Sequence, residues 1–263
     1  MNIIVITGAS SGMGREFAMQ LDRGLHRIDE FWLVARRAER MKEMAENMHH
    51  PVKILPLDLT NEADMRLFEE SLAEEKPVVR MLINCAGYGM VGDFERIPGK
   101  EQSGQIDLNC RALVETTHAC LPYMRKKSRI IELASSAAFL PQPGFAVYAA
   151  TKAFVLSFSR GLREELKKRE IYVTAVCPGP VDTDFFERAE QYGRMLSVKK
   201  LTMAEPERVV RKALCASCRN RPMSVYGLPM QAFWAASRVL PQAPVLWAAE
   251  RLREKGRTQI HEA

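Results

Sequence analysis

In 263 residues there is no apolar run near the about 20 that a membrane-spanning helix needs. No basic leader or small-residue cleavage site precedes Ile3-Ile4-Val5-Ile6, so a cytoplasmic protein is expected. Histidine is scarce and scattered (His26, His49, His50, His118, His261), with no HxxxH pair. Of six cysteines, Cys215 and Cys218 form one isolated CxxC. A structural zinc site wants four ligands, so no metal is expected. There is no repeat, low-complexity tract or linker, and 47% hydrophobic with 27% charged residues is ordinary globular composition.

Charge is unevenly spread. Residues 1–192 carry 25 basic and 27 acidic groups, whereas residues 193–263 carry 13 and 5, a local excess of +8. No RNP, zinc-finger or helix-turn-helix signature accompanies this basic quarter, so nucleic acid is not an expected partner.

What is present is alternation. Short apolar runs at 3–7, 31–35, 52–56, 80–84, 129–134, 171–176 and 223–226 read as strands buried on both faces. Amphipathic stretches near 13–24, 38–48, 61–75, 99–127, 147–169 and 205–218 read as helices. That order predicts an α/β fold: one doubly wound Rossmann-type domain over residues 1–263, with an about seven-stranded parallel sheet and helices on both faces. Residues 182–202, polar and aromatic without a period, read as a loop serving as a substrate lid.

Thr7-Gly8-Ala9-Ser10-Ser11-Gly12-Met13-Gly14 leaves the first strand and opens the first helix. Gly8 permits a tight exit, while Gly12 and Gly14 allow backbone and helix to approach a pyrophosphate held by helix N-terminal amides. The spacing is GxxxGxG rather than GxGxxG. Here the sequence resembles the short-chain dehydrogenase/reductase family over about residues 1–227, and further motifs follow in that family's order. The resemblance implies that Asp58, beside Leu59, holds an adenine. It implies that Asn84-Cys85-Ala86-Gly87 lines a cofactor, with Cys at the second position of NNAG. It also implies that Pro178-Gly179, with Val181 and Thr183, clasps a nicotinamide.

The second strand ends Leu33-Val34-Ala35-Arg36-Arg37. A carboxylate at this end would bind ribose hydroxyls and repel a 2′-phosphate. Ala35 stands there instead, and Arg36 offers a charge-assisted fork to that phosphate, with Arg37 and Arg15 adding positive charge. NADP(H) is therefore preferred over NAD(H).

Tyr148 and Lys152, four residues apart, share one helix face. A free phenol titrates near about 10, and a neighbouring ammonium favours the phenolate. Tyr148 can then give a proton to a carbonyl oxygen or take one from an alcohol. The resemblance makes Ser135, thirteen residues before Tyr148, the hydroxyl that holds the substrate oxygen, although Ser136 offers a second register. It makes Asn109 the helix residue that holds a water beside the lysine, and it gives Lys152 the ribose hydroxyls as well. Read without the resemblance, Asn109 is a polar residue that bends its helix locally.

The reading is an oxidoreductase that interconverts a carbonyl compound and its alcohol. The alternative is a non-catalytic NADP(H)-binding regulator on the same fold. Phe139, Leu140, Pro141 and Phe145, with Phe185, Phe186, Tyr192, Met195 and Leu196 of the lid, suggest an apolar substrate body. Residues 228–257 form a C-terminal helical extension, broken by Pro241 and Pro244, that mixes Phe233, Trp234, Leu246 and Trp247 with arginines. Such a segment could make a weak membrane-surface contact or pack on the domain or a sister subunit. By resemblance, the helices at 99–127 and 147–169 would join subunits into a homodimer or homotetramer.

Overall fold

Strands form where β-branched and apolar residues run without interruption, and glycine- or proline-bearing turns separate them from amphipathic helices. The computed structural model describes residues 1–25, 27–194 and 203–241, together with Ala243, Leu246, Trp247, Glu250 and Arg251. The strands are β1 (Asn2–Thr7), β2 (Glu30–Val34), β3 (Val52–Leu55), β4 (Val78–Asn84), β5 (Met124–Leu133), β6 (Tyr172–Val176) and β7 (Met223–Ser224). They form one seven-stranded sheet in the order β3-β2-β1-β4-β5-β6-β7, every neighbouring pair parallel. The fold is thus the Rossmann-type arrangement expected from the sequence. Because β1 is flanked by β2 and β4, the chain order reverses there, and a crevice opens at the strands' carboxyl ends.

The larger helices are α1 (Gly12–Gly24), α2 (Ala38–Ala45), α3 (Glu62–Glu75), α4 (Gly99–Ile106), α5 (Ala112–Cys120) and α6 (Ala146–Glu165). They are followed by α7 (Phe185–Ala189), α8 (Pro206–Cys218) and α9 (Leu228–Val239). Apolar residues of α1, α2 and α8, among them Phe17, Met41 and Val210, pack with Ile4, Ile6 and Ile83 on one face of the sheet. Phe68 and Leu72 of α3, Ala112 and Cys120 of α5, and Leu162 of α6 pack with Val5, Leu82 and Ile130 on the other. Helix α3 starts where the Asn61 side chain accepts hydrogen bonds from the Ala63 and Asp64 amides, and it ends at Lys76 in the left-handed region.

The stretch 99–127, expected as one helix, is not one. Between α4 and α5 the chain forms a π-helical turn, Asp107–Arg111, and after α5 a 3₁₀ turn, Leu121–Tyr123. Pro122 has no N–H to continue a helix, and strand β5 begins at Met124, five residues before the expected Arg129. The last strand is shorter than expected, two residues rather than four. Residues 182–194 contain the short helix α7 rather than a plain loop, and Met195 and Leu196 lie outside the described residues. Most of 242–257 also lies outside them, including Arg253, Lys255 and Arg257. Among the described residues, no helix is long and apolar enough to cross a membrane, and no cluster of side chains could hold a metal ion.

One polar contact fixes α1 against the turn leading into β3. Asp22 has no exposed side-chain surface. Its oxygens accept hydrogen bonds from the backbone amides of His49 and His50, and each ring Nδ1 lies 2.8 Å away. Burial raises the cost of its charge, but these donors outweigh that cost and hold the carboxyl well below the usual carboxylate range. A lowered native pKa gives stability that is full above the unfolded value of about 3.9 and lost as pH falls towards the native one. Asp22→Ala is expected to cost about 2–3 kcal/mol at neutral pH. Denaturant titrations should show that cost shrinking as the pH falls below about 4.

Candidate active site

The crevice at the carboxyl ends of β1, β2, β4 and β5 is a cleft of about 1040 Å³. One end is backbone-lined. Gly8 and Gly12 adopt φ values of +66° and +52°, which side chains resist. A Cβ on Gly8 would stand 2.7 Å from the Ala86 nitrogen, and one on Gly14 would collide with the Gly8 carbonyl. The turn therefore packs backbone on backbone and leaves the start of α1 open to the cleft. Ser11, the N-cap, makes no side-chain cap there. A dinucleotide's phosphates fit such a cradle.

Around it lie Ser10, Ser11, Met13, Arg36, Arg37, Arg40, Asp58 and Leu59. Arg37 donates to Ser10 Oγ at 3.2 Å and to Ser11 Oγ at 2.7 Å. Arg36, with its side chain 62% exposed, stands 3.7 Å from Asp58. Burial works against the Asp58 charge, yet two Thr60 hydrogen bonds and Arg36 hold the carboxyl below its ordinary value. Arg40 pairs with Asp184 at 2.8 Å. Arg40, not among the residues expected from the sequence, stands in the first turn of α2, three residues after Arg37. Arg15, by contrast, is exposed and does not line the cleft.

At the deep end, Ala86, Gly87, Ser135, Ser136, Tyr148, Lys152, Pro178, Gly179, Val181 and Thr183 come together. Tyr148 is buried, stacked on Phe145 at 4.3 Å between ring centroids and tilted against Phe185 at 5.5 Å. The hydroxyl that acts to lower its phenol's pKa belongs to Ser135, which also caps the 3₁₀ turn at Ser136 by accepting from the Ala137 amide. Lys152 Nζ lies 5.7 Å from the Tyr148 ring centroid and donates to the Leu133 carbonyl at 2.7 Å. Burial pushes the Tyr148 phenol up to about 12, against the Ser135 hydroxyl, and pushes Lys152 down to about 8.

Two residues expected at the cofactor or the reacting groups stand behind the cleft wall instead. Asn84 is interior, accepting from Thr116 Oγ1 at 3.1 Å and donating to Thr117 and Glu132. Asn109 sits in the π-helical turn. Its Nδ2 donates to the Tyr88 carbonyl at 2.8 Å and to Thr151 Oγ1, and its Oδ1 accepts from the Tyr88 amide. A Cβ on Gly87 would nonetheless lie 2.8 Å from Asn109 Oδ1 and 3.4 Å from Lys152 Nζ, so the bare backbone of that glycine lets Asn109 approach the lysine that lines the cleft.

The outer wall comes from α9 and from the expected Phe185 and Phe186 of α7. Helix α9 buries none of its residues fully, yet it turns Met230 and Phe233 into the cleft and sets the Phe233 ring 5.9 Å from Phe139. Leu228 and Val239 at its ends stay exposed, at 80% and 82%. From α7, Phe185, Phe186 and Arg188 line the opposite side. Arg188 lies over the Tyr88 ring at 3.7 Å and pairs with Glu101 at 3.2 Å. The i, i+3 spacing of Met230 and Phe233 was the sequence signal for the α9 wall.

A Rossmann-type sheet with a glycine cradle at its switch point and a buried Ser-Tyr-Lys group at the cleft's deep end defines a class of dinucleotide-dependent oxidoreductases. Residues 2–192 match the family model of the short chain dehydrogenases, and the chain belongs to that family. It is 35% identical over 191 residues to sulfoacetaldehyde reductase 2 of Chromohalobacter salexigens, which covers 70% of this chain and 74% of that protein. A short-chain dehydrogenase from Sphingobium yanoikuyae, solved in complex with NADPH, superposes with a TM-score of 0.78 at 31% identity, covering 92% of this chain and 98% of that one. The bulky-bulky ketone specific alcohol dehydrogenase of Comamonas testosteroni superposes with a TM-score of 0.71 at 27% identity, covering 92% and 96%.

The backbone approach at the cradle has a direct test. Gly8→Ala forces both a left-handed alanine and a collision with Ala86, and should cost about 2 kcal/mol or more of stability. A thermal melt of the variant checks it.

Proposed function

We propose that the protein is an NADP(H)-dependent oxidoreductase that interconverts a carbonyl compound with an apolar body and the corresponding alcohol. The observation that carries this is the burial of Ser135, Tyr148 and Lys152 together at the deep end of the cleft. Bound along the cleft, the cofactor supplies or accepts hydride. Gly8, Ser10, Ser11, Gly12, Met13 and Gly14 would hold its pyrophosphate, Asp58 and Leu59 its adenine, and Ala86, Gly87, Pro178, Gly179, Val181 and Thr183 its nicotinamide half. Arg36 and Arg37 would take the 2′-phosphate, a reading supported by Ala35 standing where a carboxylate would exclude it.

Ser135 holds the substrate oxygen, and Tyr148 gives it a proton during reduction or takes one during oxidation. Lys152 favours the phenolate that remains and binds ribose hydroxyls. Asn84 and Asn109 would contribute by position, the first by tying the end of strand β4 to α5 and β5 and the second by fixing the Tyr88 backbone next to Gly87. Phe145, Phe185, Phe186, Met230 and Phe233 form the wall facing the substrate body. The Arg188 guanidinium on that side is already matched by Glu101, which favours a bulky apolar carbonyl over an anionic one. The Comamonas relative's ketone specificity, by its name, points the same way.

Exposed Ile106 of α4 and Phe154 of α6, the latter stacked on Phe158, support a homodimer or homotetramer through those helices. The exposed Leu228, Val239 and Trp247 are the apolar part of any membrane-surface contact.

Tyr148→Phe should lower carbonyl reduction by roughly 10²–10⁴-fold while NADPH still quenches tryptophan emission. NADPH binding without turnover over a broad carbonyl panel would instead leave a cofactor-binding regulator. Arg36→Ala should weaken NADPH by roughly tenfold and NADH little, and equal losses for both would remove the 2′-phosphate role.

A further inference from the structure

Glu132 has no place in the chemistry just described, yet it occupies the centre of the molecule. It lies on β5 in register with Asn84 of β4 and Ala175 of β6, and it is 0% exposed. Its Oε1 accepts from Asn84 Nδ2 and Thr117 Oγ1, each at 3.2 Å. Its Oε2, equally buried, has no hydrogen-bond partner among the described residues. A carboxyl rarely stays in such a position unless a charge elsewhere compensates it.

That charge is Lys152. Its Nζ donates to the carbonyl of Leu133 at 2.7 Å, which places a buried cation against the strand one residue from Glu132. The other titratable groups facing the pair are thiols. Cys85, after β4, faces both Glu132 and Lys152, Cys120 of α5 faces Glu132, and Cys110 and Cys177 face Lys152. Burial raises all four thiols well above Glu132, so Glu132 is the acid of this set that ionises first as the pH rises. The Tyr148 ring, its centroid 5.7 Å from the Lys152 ammonium, completes the set.

We propose that Glu132 is a positioning residue for the proton-transfer group, a buried countercharge that keeps Lys152 an ammonium beside Tyr148. The assignment rests on the oxidoreductase reading above. Burial drives the Glu132 carboxyl up to about 8 and the Lys152 ammonium down to about 8, so the carboxylate forms over the same range in which the ammonium would otherwise lose its proton. Removing the carboxylate removes an influence that raises Lys152, and the ammonium then loses its proton at lower pH. Tyr148, already pushed up by burial, loses its cationic neighbour over the same range.

The test is Glu132→Gln, which keeps shape and an acceptor oxygen but not the charge. In the full chain without cofactor, ¹³Cε-lysine NMR follows Lys152, its resonance identified by its absence in Lys152→Met. The midpoint should fall by about one pH unit in Glu132→Gln and return most of the way in Glu132→Asp. With NADPH and a carbonyl substrate, the alkaline limb of kcat/KM should move down in parallel, with the rate near about pH 6 little changed. An unmoved Lys152 midpoint, or an equal loss of activity at every pH, overturns the assignment. Should Glu132→Gln not fold, Thr117→Val removes one donor to the carboxylate and should lower the Lys152 midpoint by a smaller step, and no movement there overturns it equally. Absence of turnover in the unaltered protein sinks the oxidoreductase reading, whereas an unmoved midpoint in an active protein sinks only the role of Glu132.

Discussion

The cleft depends on a web of side-chain hydrogen bonds that ties three strands and a helix together beneath it. Asn84 joins β4 to Thr116 and Thr117 of α5 and to Glu132 of β5. Thr7, at the end of β1, accepts from the amides of Cys85 and Ala86, where the chain leaves β4. Parallel strands that end in a crevice must turn their last amides somewhere, and buried donors without partners are costly. This web supplies those partners from side chains, so the segments above it start from points tied to one another.

On that floor the deep end of the cleft is an electrostatically opposed arrangement. Burial makes the Tyr148 phenol hold its proton and makes the Lys152 ammonium shed its own, while the hydroxyl of Ser135 and the carboxyl of Glu132 pull in the reverse directions. Groups set against their surroundings in this way respond strongly to a nearby charge, because the low-dielectric interior screens little. The same burial leaves Cys85, Cys110 and Cys177 as neutral packing groups rather than nucleophiles.

Much of this was legible in the chain itself. Uninterrupted apolar runs gave away the parallel strands, and the glycine spacing placed the turn after β1, because only a missing side chain permits the approach of Gly8 to Ala86. The four-residue spacing of Tyr148 and Lys152 put both on the inner face of α6. The π-helical turn at Asp107–Arg111 was not legible, since one wide turn is too short to set a period of its own and has no signature residue. The early start of β5 was hidden by Leu121, Tyr123 and Met124, which prolong a helical hydrophobic pattern past Pro122. Side-chain direction at a strand end or inside a distorted turn is set by tertiary packing. For that reason a motif match located Asn84 and Asn109 along the chain but not behind the wall.

Helix α9 has one more implication. Where it covers the cleft, it does so with a thioether, and Met230 presses so closely on Gly179 that even a methyl group there would stand 2.8 Å from its sulfur. Methionine bends through three rotatable bonds at little cost and polarises towards whatever it touches. A boundary made of such a side chain, with phenylalanines around it, is a malleable rim rather than a fixed mould.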